Sequence, residues 1–377
     1  MNILIIGNGF DLAHGLPTTY VDFLNFINTF ENCEKRNTYT YIPLESEEKF
    51  TTHIMNMETD MRREFRNLIQ DNIWISYFNK IYDSRKKEGK DGWVDFECEI
   101  SKIIQGLDSD YRNAIKDPNM AIYPIIISND NVCECLESYK IPERLEEFVD
   151  VHYQLLQDLN RITRALEIYL SYYVNALPVV DQLPDIKKLK IDKVLSFNYT
   201  NTYERFYGTD NDKIEYDYIH GKAEIDHNIN NCNLVLGIDE YLIGEERDKK
   251  TEFIQFKKFY QRIYKGTGCK YIDWLKQYVN KYSGNISASK PEDLNIYIFG
   301  HSLDVTDKDI LQKFLLCEPD HKFKALGGNI KITIFHFDQN ALGKQIANLV
   351  KVIGQDNLIS MTGGSDKKII LQQQKTK

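Results

Sequence analysis

The chain has 377 residues, 42% of them hydrophobic and 27% charged, and a formal net charge of -9. This is globular composition, long enough for two domains or for one domain with a large insertion. The acidic balance disfavours a nucleic-acid surface, because basic residues gather only in short clusters such as Arg85-Lys86-Lys87 and Lys187-Lys188-Leu189-Lys190. No stretch approaches the ~20 apolar residues of a membrane span, and the N-terminus lacks the basic region of a signal peptide. A cytoplasmic protein with no membrane partner is expected. Seven cysteines are scattered along the chain; Cys133 and Cys135 form CxC, and CxxC is absent. Reduced thiols are expected, with neither a disulfide framework nor a metal site.

In chain order, Asn2–Ile6 is an apolar run that Gly7-Asn8-Gly9 stops. Glycines so close together would each cost about 1 kcal/mol in a helix, so a buried strand running into a glycine turn is expected. Phe10 to Pro17 follows, then Thr18 or Thr19 as N-cap of a helix over residues 20–30. Strand, glycine turn and helix in that order make a phosphate cradle, since glycine admits an anion close to the backbone and N–H groups near a helix start bind it. The spacing is not GxGxxG, because Leu12 stands where the third glycine would be. Residues 20 to about 183 read as mostly helical. Within them Trp93-Val94-Asp95-Phe96-Glu97 opens one helix, Asp117-Pro118-Asn119 is a break, and residues 144–176 form a long helix.

The period changes near Lys190. Strands are expected over residues 192–198, 216–220, 233–238, 294–299 and 331–335, with an edge strand at 368–371. Helices are expected over 252–278, interrupted at Gly266-Thr267-Gly268, and over 339–352. Another runs to Leu316 from a capping box at Thr306-Asp307-Lys308-Asp309. Strands separated by helices predict an α/β fold: a doubly wound, Rossmann-like, mainly parallel sheet with a large helical insertion after the first strand. Residues 1–19 and 190–377 would be the nucleotide-binding domain and 20–189 the inserted one. Ligands of such sheets sit at the carboxyl ends of the strands. Gly7-Asn8-Gly9, Asn198, His220-Gly221, Gly237 and Gly300-His301-Ser302 would all meet there.

The stretches GNGFDLAHGLPTTYVDFL from Gly7, WVDFE from Trp93, SFNYTNTYE from Ser196, His220-Gly221 and YIFGHSLDVTDKDIL from Tyr297 resemble the AbiH family of bacterial phage abortive-infection proteins, over essentially the whole chain. A wider resemblance is to sirtuin-like NAD-binding domains. Those carry a glycine loop followed by Gly-hydrophobic-Pro, then Thr-x-Asn-x-Asp, then His-Gly. Gly7, Gly9, Gly15 and Pro17 match the loop, Ser196 to Thr200 the asparagine segment, and His220-Gly221 the last motif. Asp11 stands where sirtuins have serine, Thr200 replaces the aspartate, and the paired CxxC zinc module is missing, so lysine deacetylation is not implied.

The resemblance implies an anti-phage NAD+ glycohydrolase that releases nicotinamide. The alternative is a nucleotide- or ADP-ribose-sensing module without turnover, acting on a partner through its helical insertion. Catalysis would fall to Asn198, orienting a water or a ribose hydroxyl, and to His220, taking a proton. NAD would be held by Gly7, Asn8, Gly9, Phe10, Asp11, Gly15, Pro17, Gly221, Gly300, Ser302 and Asp304. His14 is expected to orient the glycine loop, His301 to bond within its own loop, Tyr199 to pack, and Asp307 and Asp309 to be helix-start charges. The expected partners are a small-molecule nucleotide, a phage-derived protein trigger and a second copy of the chain in a homo-oligomer.

Overall fold

The computed structural model describes residues 1–35, 48–88, 94–116, 145–178, 181–208, 213–283, 292–317 and 328–375. Trp93, Asp117-Pro118-Asn119 and Cys133-Glu134-Cys135 lie outside them. The chain divides into two compact units: Met1–Leu16, Pro178–Lys222 and Gly266–Lys377 form the first, and Pro17–Leu177 with Ala223–Lys265 the second.

The first unit is built on β1 (Asn2–Ile6), β2 (Lys193–Ser196), β3 (Glu215–Tyr218), β4 (Leu294–Phe299), β5 (Ile330–His336) and β6 (Ile369–Gln373). These lie side by side in the order β3-β2-β1-β4-β5-β6, and every neighbouring pair is parallel. That is the order of doubly wound nucleotide-binding sheets, with the switch in direction at β1 and β4. A parallel sheet covered on both faces needs strands that are apolar throughout, and Ile3, Leu4, Ile5 and Ile6 are all buried. Alternate residues serve opposite faces. Ile3, Ile5, Ile296 and Ile298 pack with Trp274, Leu311 and Leu349 of the helices Lys270–Ser283, Lys308–Leu315 and Gln339–Ile353. Leu4, Ile6 and Val194 pack with Phe10, Ile186 and Tyr203 of the short helices Asn8–Ala13, Pro184–Lys187 and Thr202–Tyr207. The expected α/β, Rossmann-like parallel sheet is the fold observed.

Two expectations are corrected. Residues 233–238 are not a strand of the sheet; they make a single bridge, Ile238 with Lys257, and belong to the second unit. Leu234, Val235 and Leu236 are apolar because they are buried, and Gly237 is small because a Cβ there would come within 2.5 Å of the Phe256 carbonyl oxygen. Nor is Thr306 a capping residue. The Asp304 carboxylate accepts the Thr306 N–H at 3.1 Å and starts a 3-10 turn, Val305–Asp307, that leads into the helix Lys308–Leu315.

The second unit contains the helices Tyr20–Lys35, Glu48–Met55, Thr59–Ile69, Ile73–Lys87, Phe96–Lys116 and Leu145–Ile168. The last continues through a π-helical turn, Tyr169–Tyr173, and a 3-10 turn, Val174–Ala176. Thr19 and Asp22 form a reciprocal capping box, with N–H to side-chain oxygen distances of 3.1 and 3.3 Å. The rest of the WVDFE stretch is structural. Phe96 stacks on Phe78 at 3.8 Å and Tyr20 at 4.2 Å, Asp95 accepts the Cys98 N–H, and Glu97 pairs with the buried Lys258 at 2.6 Å. No described helix is long and apolar enough to cross a membrane.

Gly300 and Gly15 separate two costs of replacing glycine. Both have left-handed φ, +68° and +73°, but a Cβ on Gly300 would lie 2.1 Å from the Phe10 nitrogen while one on Gly15 would meet nothing within 4 Å. Gly15→Ala should lower unfolding free energy by about 1–2 kcal/mol, and Gly300→Ala by several kcal/mol more or to the point of insolubility. Urea unfolding of both variants checks this; equal losses would contradict it.

Candidate functional site

The carboxyl ends of β1 and β4 leave the sheet side by side, and their backbones touch. Gly7 caps the helix Asn8–Ala13 directly, with no intervening turn. Its N–H donates to the Phe299 carbonyl at 3.2 Å, the Gly9 N–H to the Gly300 carbonyl at 2.8 Å, and the Phe10 N–H to the Gly7 carbonyl at 2.8 Å. The phosphate cradle expected at Gly7, Asn8, Gly9 and Phe10 is therefore corrected for Gly7, Gly9 and Phe10, whose N–H groups each already have a carbonyl partner. The glycines serve a close crossing instead: a Cβ on Gly7 would be 2.8 Å from the Gly300 carbonyl oxygen, and one on Gly9 2.8 Å from the Gly300 Cα.

On these two loops Asn8 and Ser302 are exposed. Gly221 ends β3 with φ +82°. Asp304 is engaged as the cap described above, Gly15 faces open space, and Pro17 falls in the second unit.

Beneath the crossing lies a buried carboxyl group. Asp11 is 1% exposed. The Thr200 hydroxyl donates to its Oδ2 at 2.6 Å, and the Thr202 hydroxyl donates to Thr200 at 3.0 Å. Its Oδ1 is buried without a hydrogen-bond partner in the structure. Burial pushes the Asp11 pKa up to about 6, against the lowering effect of the Thr200 hydrogen bond, of the nearby Thr202 and Asn198 side chains and of the Arg205 charge. Asn198, at the end of β2, is also buried; its amide nitrogen donates to the Gly7 carbonyl at 3.0 Å, and its backbone N–H donates to the Ser196 hydroxyl at 3.1 Å. Asn198 thereby ties the end of β2 to the end of β1.

His14 has the orienting role expected of it. Its Nδ1 lies 2.7 Å from the Phe10 carbonyl and so carries the proton. Its Nε2, 2.9 Å from the Tyr207 hydroxyl, then accepts. The Leu183 N–H completes the chain by donating to the Tyr207 oxygen at 2.7 Å. Burial raises the Tyr207 pKa to about 12, so the phenol stays a donor.

His220 and His301 form the other side of the rim. Both are buried, and the Phe197 ring meets each of them edge-on, with centroids 5.8 and 4.3 Å away. The Asp307 carboxylate lies between them, 3.7 Å from His220 Nε2 and 3.5 Å from His301 Nε2. His301 Nδ1 accepts the Leu303 N–H at 2.9 Å. Tyr199 packs near the His220 ring. Among the described residues, no group of three or more His, Cys, Asp or Glu converges as metal ligands do.

The structure thus brings Gly7, Gly9, Asp11, Asn198 and Gly300 into direct contact around one crossing, with His220 reaching the same rim through Phe197. Residues 3–320 match a family described as "Bacteriophage abortive infection AbiH". The chain belongs to the AbiH family. The matched region spans β1 to β4 and includes every residue of the AbiH rim named above. No curated protein and no solved structure matches the chain.

Sequence reasoning missed Asp307 as part of this AbiH site, and Thr202 and Arg205 beside Asp11. A signal for Asp307 was present: Asp304 already supplies a cap three residues earlier, which leaves the second aspartate redundant as a helix-start charge.

The raised Asp11 pKa fixes the sign of a stability change. The native carboxyl binds its proton more tightly than the unfolded one, whose pKa is 3.8. Its favourable contribution is complete below about pH 4 and disappears as pH rises through about 6. Asp11→Asn does not titrate, so the variant should gain on the wild type by about 3 kcal/mol between pH 4 and pH 7.5. Urea unfolding at the two pH values measures the difference; a gap that does not change with pH would contradict it.

Proposed function

We propose that this AbiH protein defends against phage by hydrolysing NAD+ to nicotinamide and ADP-ribose. One observation carries the reading. The two positions that depart from the sirtuin-like pattern, Asp11 and Thr200, hydrogen-bond to each other at 2.6 Å. The pattern has a hydroxyl at the first position and a carboxylate at the second; this chain has the reverse. The same two residue types, one carboxyl and one hydroxyl, stand at these positions with their sides exchanged, and here they pair next to Asn198. The strand order, with these residues at the topological switch, supports the same reading.

In this scheme the bond from ribose C1′ to the nicotinamide ring nitrogen breaks. Its electron pair neutralises the pyridinium, and oxocarbenium character develops on the ribose. A water oriented by Asn198 attacks C1′, and His220 takes the proton the water loses. The Asp11 carboxyl faces the developing positive charge or a ribose hydroxyl through Oδ1. Asn8 and Ser302, exposed on the β1 and β4 loops, contact the remainder of the dinucleotide, in place of the backbone N–H groups used in the crossing. The trigger is a phage-derived protein, and the helical second unit is the regulatory part.

The test is product release by the full-length protein, with and without lysate of phage-infected cells. Nicotinamide and ADP-ribose should appear in equal amounts, and His220→Ala or Asn198→Ala should reduce the rate by about a hundredfold or more. The reading fails if a protein that protects cells releases neither product and His220→Ala still protects. Tight NAD binding without turnover would instead favour the sensing alternative.

A further inference from the structure

Asp307 occupies the N-cap of the helix Lys308–Leu315, yet its side chain makes no capping hydrogen bond. The start of this helix is already capped three residues earlier by Asp304, so the Asp307 carboxylate is not needed there. Here the carboxylate turns to two buried imidazoles, His220 at 3.7 Å and His301 at 3.5 Å. The geometry fixes the far end of this set. Because His301 Nδ1 accepts the Leu303 N–H, a neutral His301 carries its proton on Nε2, the nitrogen that lies 3.5 Å from Asp307 Oδ2. Leu303 itself has φ +59°, a left-handed conformation that a non-glycine residue holds only under constraint. It is fully buried, and its N–H is aimed at His301. The left-handed Leu303 backbone and the Asp307 carboxylate thus converge on His301, and the carboxylate reaches His220 as well.

We propose that His301 and Asp307 are positioning residues for His220: His301 orients the Asp307 carboxylate, and the carboxylate stabilises the imidazolium that forms when His220 takes a proton. The inference rests on the reading of His220 as the base in NAD+ hydrolysis. No step consumes a reagent beyond the substrate and water; the proton arriving on His220 leaves later to solvent. Among the described residues, Asp307, from the turn after β4, and Tyr199, from the loop after β2, are titratable side chains set against His220, with His301 behind the carboxylate.

Two measurements on the full chain test this. The first is the kinetics of Asp307→Asn and His301→Gln. Asp307→Asn should lower kcat for NAD+ about ten- to a hundredfold with KM little changed. Removing the negative charge should also move the acidic limb of the kcat–pH profile to lower pH by about one unit. His301→Gln, which keeps a donor near the carboxylate, should have a smaller effect on both. The second needs no turnover: the His220 imidazole is titrated by NMR in wild type and in Asp307→Asn, with the same downward shift expected. A shift by NMR together with no NAD+ cleavage would support the pairing and overturn the substrate. An unmoved His220 titration in a folded Asp307→Asn protein would overturn the pairing, whether or not NAD+ is cleaved.

Discussion

Where β1 and β4 leave the sheet, two backbones cross within van der Waals distance, and that crossing sets the position of the rest of the rim. It requires glycine on both sides, since a Cβ on Gly7, Gly9 or Gly300 would collide with the opposite strand end. It uses up three N–H groups in bonds to nearby carbonyls. With the N–H groups committed, the chemistry at this edge falls to side chains. Asn198 is locked onto Gly7, and His301 follows Gly300 directly. The rim is rigid because its scaffold is main chain bonded to main chain.

The groups held on that scaffold are there against local preference. A carboxyl group fully enclosed with one oxygen unpartnered is unfavourable when ionised. A leucine in the left-handed region is unfavourable as well. Each is held in place by its surroundings and not by local preference. The second unit shows the contrast. There the buried Lys258 and the half-buried Glu97 satisfy each other, as structural ion pairs do, and Asp95 caps its helix in the usual way.

The sheet was legible because its physics is local. The run at β1 is apolar at every position from Ile3 to Ile6, as a strand covered on both faces requires, and Leu294–Phe299 carries a similar signal interrupted at Asn295. The run at residues 233–238 misled because an apolar segment reports burial and not pairing; its residues are buried in irregular chain. The glycines of the first loop were legible in place but not in role. Sequence shows where the backbone can come close, and cannot show whether it comes close to a ligand or to another loop. The partners of Thr200 and Asp307 were illegible for a different reason. Thr200 meets Asp11 across 189 positions of sequence, and Asp307 follows a default rule of helix starts until the fold turns it away.

The most direct test of the central claim, that this rim encloses the nicotinamide end of a dinucleotide, is a crystal structure of the full chain with a non-cleavable NAD analogue. The account predicts the nicotinamide riboside lodged between Asn198 and His220, with Asp11 Oδ1 bonded to it. An analogue bound away from these three residues, or excluded from the crystal at saturating concentration, would contradict it.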